Sequence, residues 1–134
     1  RYTREELSRK AKERCFFLLM VYASGNPIGF AMSYEDPEDA SSLYLDTLAT
    51  VVQRKEIGSS LLRLAAIICF KQGFRHITIR TEEHDEKGRS PKSFYEKMDF
   101  YTIPCDPSEG TGMKKDLDQQ TVSNYVQHLR GQTL

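Results

Sequence analysis

A strand-like segment that turns directly into a long helical segment constrains the fold of this chain more than any other feature. Residues 43–52 are apolar and rich enough in β-formers for a buried strand, and after a polar turn an apolar helical pattern covers residues 57–72. The first N–H groups of a helix lack partners within it, and the helix dipole favours negative charge there. Gly58 permits close approach to the backbone, and Ser59 and Ser60 add hydroxyl donors. This junction predicts a phosphate-binding site for a cofactor, although many α/β proteins carry the same junction without a ligand.

The composition predicts one ordinary globular domain. The chain has 134 residues, of which 39% are hydrophobic and 28% are charged. The 19 basic and 19 acidic residues give a formal net charge of zero, which argues against a nucleic-acid-binding protein because such proteins carry a basic excess. No apolar run approaches the roughly 20 residues that span a membrane, and no segment resembles a signal peptide. We therefore expect neither a nucleic-acid partner nor a membrane partner.

The cysteines indicate the compartment. Cys15, Cys69 and Cys105 are odd in number and widely spaced, which fits neither a disulfide framework nor a zinc site. Cys15 and Cys69 lie in apolar runs and are expected to be buried, whereas Cys105 lies beside a loop. The pattern predicts a reducing, cytoplasmic location and no metal.

Helices and strands are predicted along the whole chain. A capping box, Thr3 with Glu6, begins a polar helix over residues 3–14. The predicted strands cover residues 15–23, 28–34, 43–52, 76–81, 101–104 and 111–117. Further helices are predicted over residues 57–72, 91–98 and 119–130. Gly73 terminates the first of these three helices. One domain of the α/β (α+β) class follows from this order.

The order of these elements and two motifs resemble the GNAT superfamily of acyl-CoA-dependent N-acetyltransferases. The pyrophosphate loop of that family reads Gln/Arg-x-x-Gly-x-Gly/Ala, which Gln53 and Gly58 match. Glu56 stands where the family has its first glycine. The hairpin over residues 25–30 also looks like the second and third strands of the family.

The second motif lies in the short helix after the fourth predicted strand. Residues 94–100, FYEKMDF, match the family pattern Phe/Leu-Tyr-Glu-Lys-x-Gly-Phe except at Asp99. Gly88 stands seven residues before the motif tyrosine, where the family often has asparagine. The resemblance extends over residues 3–117.

The resemblance implies a mixed, mostly antiparallel central sheet flanked by helices. It implies a single domain over residues 1–134 that lacks the extreme N-terminal elements of the family or was cut from a longer chain. The implied reaction transfers an acetyl group from acetyl-CoA to a primary amine by direct attack, without a metal. The acceptor would be a small molecule or a protein lysine.

The resemblance also assigns residues to the cofactor. The backbone near residues 46–48 would bind the pantetheine arm, and amides over residues 54–59 would hold the pyrophosphate. Tyr95 would protonate the leaving thiolate, although packing in the core would also explain it. The implied cofactor-binding residues are Asp46, Thr47, Leu48, Gln53, Arg54, Lys55, Glu56, Ile57, Gly58, Ser59 and Tyr95. Because like charges repel, Glu56 would have to face solvent or pair with Arg54 or Lys55.

The group that takes the proton of the amine has several candidates. Ser42, Tyr44 and Asp46 share one face of a regular strand, and a charge within an apolar strand calls for an explanation. We expect Asp46 to be the catalytic partner of Tyr95, ahead of the alternatives Glu82, Glu83 and His84. An acidic loop near the acceptor entrance would attract a cationic amine or would simply be solvated; its members are Glu35, Asp36, Glu38 and Asp39.

A second interpretation is a catalytically inactive GNAT-like binding or regulatory module within a longer protein. In that case Glu56, Gly88 and Asp99 would mark lost catalysis, and the helix over residues 119–130 would be a docking surface. A nucleotide-binding protein of another α/β type is disfavoured because neither Gly-Lys-Ser/Thr nor Gly-x-Gly-x-x-Gly occurs.

Overall fold

The computed structural model describes residues 3–10, 12, 16–50, 55–82 and 91–131. Within these ranges the chain forms four α-helices and one sheet of six strands. The strands are β1 (Phe17–Ala23), β2 (Asn26–Glu35), β3 (Ser42–Thr50), β4 (His76–Thr81), β5 (Tyr101–Ile103) and β6 (Thr111–Asp116). The helices are α1 (Arg4–Lys10), α2 (Lys55–Lys71), α3 (Pro91–Lys97) and α4 (Gln119–Arg130), and a short 3-10 helix covers Pro107–Glu109.

The sheet has the strand order β1-β2-β3-β4-β6-β5. The central pair, β3 with β4, is parallel, and the other neighbouring pairs are antiparallel. The crossover that a parallel pair requires is supplied by α2. The predicted α/β (α+β) class, with a mixed, mostly antiparallel sheet flanked by helices, is confirmed.

The core lies between α2 and one face of the sheet. Leu43 and Leu45 of β3, with Ile77 and Ile79 of β4, join a buried cluster that includes Leu61 and other apolar side chains of α2. Each such side chain contributes about 1.5–3 kcal/mol on burial. The helix approaches β2 so closely that a Cβ added at Gly29 would lie 3.1 Å from Leu61 Cδ1. Packing against the sheet therefore fixes where the first turn of α2 can lie.

The last helix, α4, packs against α2. Val122 is buried at 4% exposure. The ring of Tyr125 has the guanidinium carbon of Arg63 at 5.8 Å and the ammonium nitrogen of Lys115 at 5.5 Å from its centroid, distances at which cations are attracted to an aromatic face. Asp118 caps α4 by accepting a hydrogen bond from the Thr121 N–H at 2.7 Å. The predicted bounds of α4 are confirmed.

The first helix is shorter than predicted. Thr3 caps it as expected, because its Oγ1 accepts from the Glu6 N–H at 3.1 Å. However, α1 ends at Lys10, and Lys12 lies in a turn, so the predicted continuation to residue 14 is wrong at that position. Most of the described side chains of α1 are exposed, and short helices gain little stability of their own in water.

Most of the remaining boundaries differ from the predictions by a few residues. The predicted bounds of β4 are confirmed, and Gly73 ends α2 with φ of +98°. β2 is longer than expected, since Asn26 pairs with Ala23 and Glu35 pairs with Leu43. Main-chain pairing on both sides of β2 thus extends the strand beyond its apolar pattern.

Gly110 offers a test of the packing at the end of β4. Its φ of +88° is in the region that favours glycine, and an added Cβ would lie 2.6 Å from the Thr81 carbonyl oxygen. Gly25 has φ of +81° with nothing within 4 Å of an added Cβ. We expect Gly110→Ala to lower the free energy of unfolding by about 3 kcal/mol or more and Gly25→Ala by about 1 kcal/mol. Urea denaturation followed by circular dichroism measures both, and equal losses would contradict the clash.

Candidate active site

The two central strands separate soon after they meet. β3 pairs with β4 from Ser42 to Tyr44, opposite His76 to Thr78. Beyond that point β3 continues beside β2 to Thr50, and β4 continues beside β6 to Thr81. The edges that face each other across the opening present main-chain N–H and C=O groups that need partners. The middle of the sheet therefore contains a cleft that a ligand with alternating donors and acceptors can enter.

In the chain, α2 is the element that follows β3. Its first turn, from Lys55 to Gly58, carries N–H groups that the helix itself does not satisfy. Gly58 is buried, and an added Cβ would make an ordinary contact of 3.6 Å with Phe94 Cζ of α3. Helix N-terminus, cleft and α3 thus lie next to one another.

The predicted cofactor residues fall into two described groups. Asp46, Thr47 and Leu48 are half-buried in β3, past the point where its pairing with β4 ends. Ile57, Gly58 and Ser59 lie in the first turns of α2, and the Ser59 hydroxyl donates to the Glu56 carbonyl at 3.3 Å. Several residues of the earlier predictions lie outside the described residues: Cys15, Gln53, Arg54, Glu83, His84 and Gly88.

Asp46 lies at an irregularity between β2 and β3. Leu45 stands opposite Ser33 and Thr47 opposite Met32, so two adjacent residues of β2 face three consecutive residues of β3, with Asp46 in the middle. The Tyr34 hydroxyl donates to Asp46 Oδ2 at 2.8 Å, and the Thr47 hydroxyl donates to Asp46 Oδ1 at 3.3 Å. The carboxylate is thus held by hydrogen bonds beside the cleft.

The face of the sheet opposite α2 is polar near the cleft. Tyr44 is paired directly with Tyr34 on one side and with Thr78 on the other, so the three side chains share a face. The Tyr34 and Tyr44 rings lie 5.6 Å apart. Burial raises the pKa of Tyr44, the Asp46 carboxylate raises it further, and Arg80 opposes both effects. Tyr44 therefore remains a neutral phenol between the two charged side chains.

Tyr95 projects from α3 into an aromatic group. Its ring centroid lies 5.1 Å from that of Phe94 and 5.3 Å from that of Phe100, both in edge-on geometry. Burial raises the pKa of Tyr95 above its ordinary value, and Tyr44 adds to the increase. The phenol is therefore protonated throughout the neutral range and able to donate a hydrogen bond or a proton.

Arg80 connects the two loops at the far end of the cleft. It follows Thr78 on the polar face of β4, and its Nε lies 3.5 Å from Glu109 Oε2, while its Nη2 lies 4.0 Å from Glu38 Oε2. Both glutamates are largely exposed, so each ion pair is weak on its own. Sequence reasoning missed Tyr34 and Arg80, although the arginine on the polar face of the alternating strand HITIRT was a detectable signal.

The acidic loop after β2 is not a simple solvated loop. Asp36 is buried and accepts from the Thr78 hydroxyl at 2.6 Å and from the Glu38 N–H at 2.9 Å. Asp39 accepts from the hydroxyls of Ser41 and Ser42 at 2.7 and 2.6 Å. These two carboxylates hold the loop on β4 and β3. Glu38 is exposed, as is Glu82, the described member of the alternative bases after β4.

The two cysteines among the described residues are free thiols. Cys69 is buried, as expected, and burial raises its pKa to about 12, so the thiol stays protonated near neutrality. Within the described ranges no group of three or more His, Cys, Asp or Glu residues is arranged to hold a metal ion. In the same part of the chain, every helix is too short or too polar to cross a membrane.

Residues 1–100 match the model of the Acetyltransferase (GNAT) family. Because the match spans most of the 134 residues, the chain belongs to this family. No curated protein matches the sequence. The predicted membership of the GNAT family is confirmed.

Solved structures of N-acetyltransferases share the fold. A PaiA N-acetyltransferase from Thermoplasma acidophilum in complex with coenzyme A has a TM-score of 0.65 at 25% identity, covering 76% of this chain and 61% of that one. An aminoglycoside 6'-N-acetyltransferase complexed with coenzyme A has a TM-score of 0.70 at 15% identity, with coverages of 84% and 78%. The ribosomal-protein-S18-alanine N-acetyltransferase from Escherichia coli has a TM-score of 0.68 at 15% identity, with coverages of 88% and 79%. The chain thus spans less than two thirds of the first of these proteins.

Two departures from the family motifs are described by the structure. Asp99 has φ of +66°, in the left-handed region where the family motif has glycine. Aspartate adopts this conformation more readily than most residues, so the turn after α3 is retained. Glu56 lies in the first turn of α2 with an exposed side chain, where the helix dipole favours a carboxylate.

Asp39 makes the free energy of unfolding depend on pH in the acid range. Hydrogen bonds from Ser42 and Ser41 hold the pKa of Asp39 well below its ordinary value. The ionised Asp39 carboxylate therefore stabilises the folded protein fully above the pKa of aspartate in the unfolded chain, about 3.9. This stabilisation is lost as the pH falls from there towards the lower pKa of Asp39 in the folded protein. We expect Asp39→Asn to cost about 1 kcal/mol at pH 7, since the side chain is 34% exposed.

Unfolding by urea at several pH values between 7 and 2 measures this contribution. The difference between wild type and Asp39→Asn should shrink below about pH 4. Asp99→Asn, the same chemical change at an exposed residue, is the matched control. A difference that stays constant with pH would contradict the assignment.

Proposed function

We propose that this protein transfers the acetyl group of acetyl-CoA to a primary amine by direct attack of the amine on the thioester. The observation that carries the proposal is the cleft between β3 and β4, next to the N-terminus of α2, in a chain of the GNAT family. The coenzyme A complexes among the similar structures support acetyl-CoA as the donor.

The two described groups of cofactor residues suit the two parts of coenzyme A. The main chain of β3 from Asp46 to Leu48 would pair with the amide-containing pantetheine arm. The amides from the start of α2 to Ser59, with those of Gln53 and Arg54, would hold the pyrophosphate. Glu56, being exposed, would turn away from the phosphates.

In the proposed reaction Tyr95 is the general acid. The amine nitrogen forms a bond to the thioester carbon, the carbon–sulfur bond breaks, and the thiolate takes the phenolic proton. Because burial raises its pKa, the Tyr95 phenol still holds its proton when the thiolate develops and can donate a hydrogen bond to it. The amine proton passes to Asp46, directly or through a water, and Asp46 would reprotonate Tyr95 through solvent afterwards.

The acceptor is proposed to be an amine of a small molecule or a protein lysine. The names of the similar structures include an aminoglycoside and a protein alanine, so this fold admits small molecules and proteins as acceptors. The loops joined by Arg80 bound the acceptor end, and such loops determine which amine enters. The wide spacing of the three cysteines supports a cytoplasmic site of action.

Titration of acetyl-CoA and CoA by isothermal calorimetry tests the cofactor site. We expect micromolar binding to the wild type and at least about 100-fold weaker binding to Gly58→Glu, because its carboxylate would repel the phosphates and fill the amide cradle. Gly58→Ala is the control, since its Cβ would meet Phe94 at an ordinary 3.6 Å. Unchanged affinity in a folded Gly58→Glu protein would contradict the site. An absence of wild-type binding at millimolar concentration would favour the binding or regulatory module.

Tyr95→Phe tests the general acid. Removal of the hydroxyl should lower kcat about 100-fold and leave the affinity for acetyl-CoA nearly unchanged, because the lost interaction forms at the departing thiolate. Rates of CoA release and calorimetric affinities measure the two effects. Phe94→Tyr, which leaves Tyr95 in place, controls for rearrangement of the aromatic group. A wild-type kcat in Tyr95→Phe would remove the role.

A further inference from the structure

The register shift between β2 and β3 determines where the Asp46 side chain points. In a regular strand, side chains alternate strictly between faces, but an extra residue interrupts the alternation and redirects one side chain. Three residues of β3, centred on Asp46, face Met32 and Ser33 of β2. This irregularity lies just past the last pair between β3 and β4, at the mouth of the cleft. The direction of the carboxylate is thus set by β2 as well as by its own strand.

Tyr34 is the residue of β2 that contacts this carboxylate. Its hydroxyl donates to Asp46 Oδ2 at 2.8 Å, and its side chain is buried at 7% exposure. Its ring also packs against Tyr44 at a centroid distance of 5.6 Å, with the planes inclined by 58°. A buried ring has few alternative rotamers, so its hydroxyl occupies a nearly fixed point.

We infer that Tyr34 is a positioning residue that holds the Asp46 carboxylate in the orientation needed to take the proton of the acceptor amine. The inference rests on the proposed acetyltransferase function and on the role of Asp46 within it. A carboxylate rotates about its Cα–Cβ and Cβ–Cγ bonds, and proton transfer requires an oxygen within hydrogen-bond reach of the amine. Tyr34 fixes Oδ2 at 2.8 Å, and the longer bond from the Thr47 hydroxyl, at 3.3 Å, lies on Oδ1.

The reaction gives a test that separates positioning from simple core packing. A positioning residue acts through Asp46, so its removal has no further effect once the Asp46 carboxylate is gone. A residue that only fills space lowers stability and acts independently of Asp46. Tyr34→Phe removes the hydroxyl while retaining the ring and its contact with Tyr44, and it is the smallest change that makes this distinction.

The experiment compares wild type, Tyr34→Phe, Asp46→Asn and the double variant in transfer of radiolabelled acetyl from acetyl-CoA. Spermidine, kanamycin and a lysine-containing peptide are the acceptor probes. We expect Tyr34→Phe to lower kcat about 10- to 100-fold without changing KM for acetyl-CoA more than about twofold. The double variant should match Asp46→Asn. Tyr22→Phe, at a tyrosine that is 59% exposed on β1, is the matched control and should retain the wild-type rate.

Each outcome decides between the alternatives. Wild-type kcat in Tyr34→Phe, or losses that multiply in the double variant, would overturn the inference while leaving the acetyltransferase function standing. A wild type that acetylates none of the probes would overturn the proposed function for these acceptors and the inference with it. Thermal melting of every variant ensures that rates are compared for folded protein.

Discussion

The structure depends on the early end of the ladder between β3 and β4. Parallel strands at the centre of a sheet ordinarily lie buried between helices, where main-chain groups need partners. Here the hydrogen-bonded pairing of β3 with β4 ends after Tyr44 and Thr78, so main-chain groups beyond these residues face an opening. The sheet tolerates this because each strand is held from its other side. β2 stays paired with β3 to Thr50, and β6 stays paired with β4 to Thr81. The opening is thus framed by strands that stay paired on their outer sides.

The two faces of β3 and β4 near the opening differ in character. Leu43 and Ile77 face α2 and join its apolar side chains, so the start of that helix is anchored through the core. Tyr44 and Thr78, one residue further along each strand, face the other way into a polar group. The Thr78 hydroxyl in turn holds Asp36 and the loop after β2. Because successive side chains of a strand point to opposite faces, the same two strands contact α2 on one face and carry acidic and aromatic groups on the other.

Elements whose pattern is local were predictable from the sequence, and contacts between distant residues were not. The bounds of β4 and α4 were predicted because alternation and helical spacing are visible within a few residues. The Tyr34–Asp46 hydrogen bond joins residues 12 apart in the chain and depends on a register shift, which hydrophobic alternation does not encode. Asp99 was noticed as a departure from glycine, but its left-handed backbone emerges only in the turn itself. The roles of the predicted site residues still rest on the resemblance to the family.

A cleft edged by main-chain groups has an evolutionary consequence. Amides and carbonyls are the same whatever side chain they carry, so substitution along the cleft edge is constrained by volume and backbone conformation more than by chemistry. Drift can then erase most of the recognisable sequence while the opening persists. The similar structures share the fold at 15–25% identity, with TM-scores of 0.65–0.70. At positions such as Gly29 a neighbouring helix leaves no room for a larger residue. We expect such positions to change most slowly among related sequences.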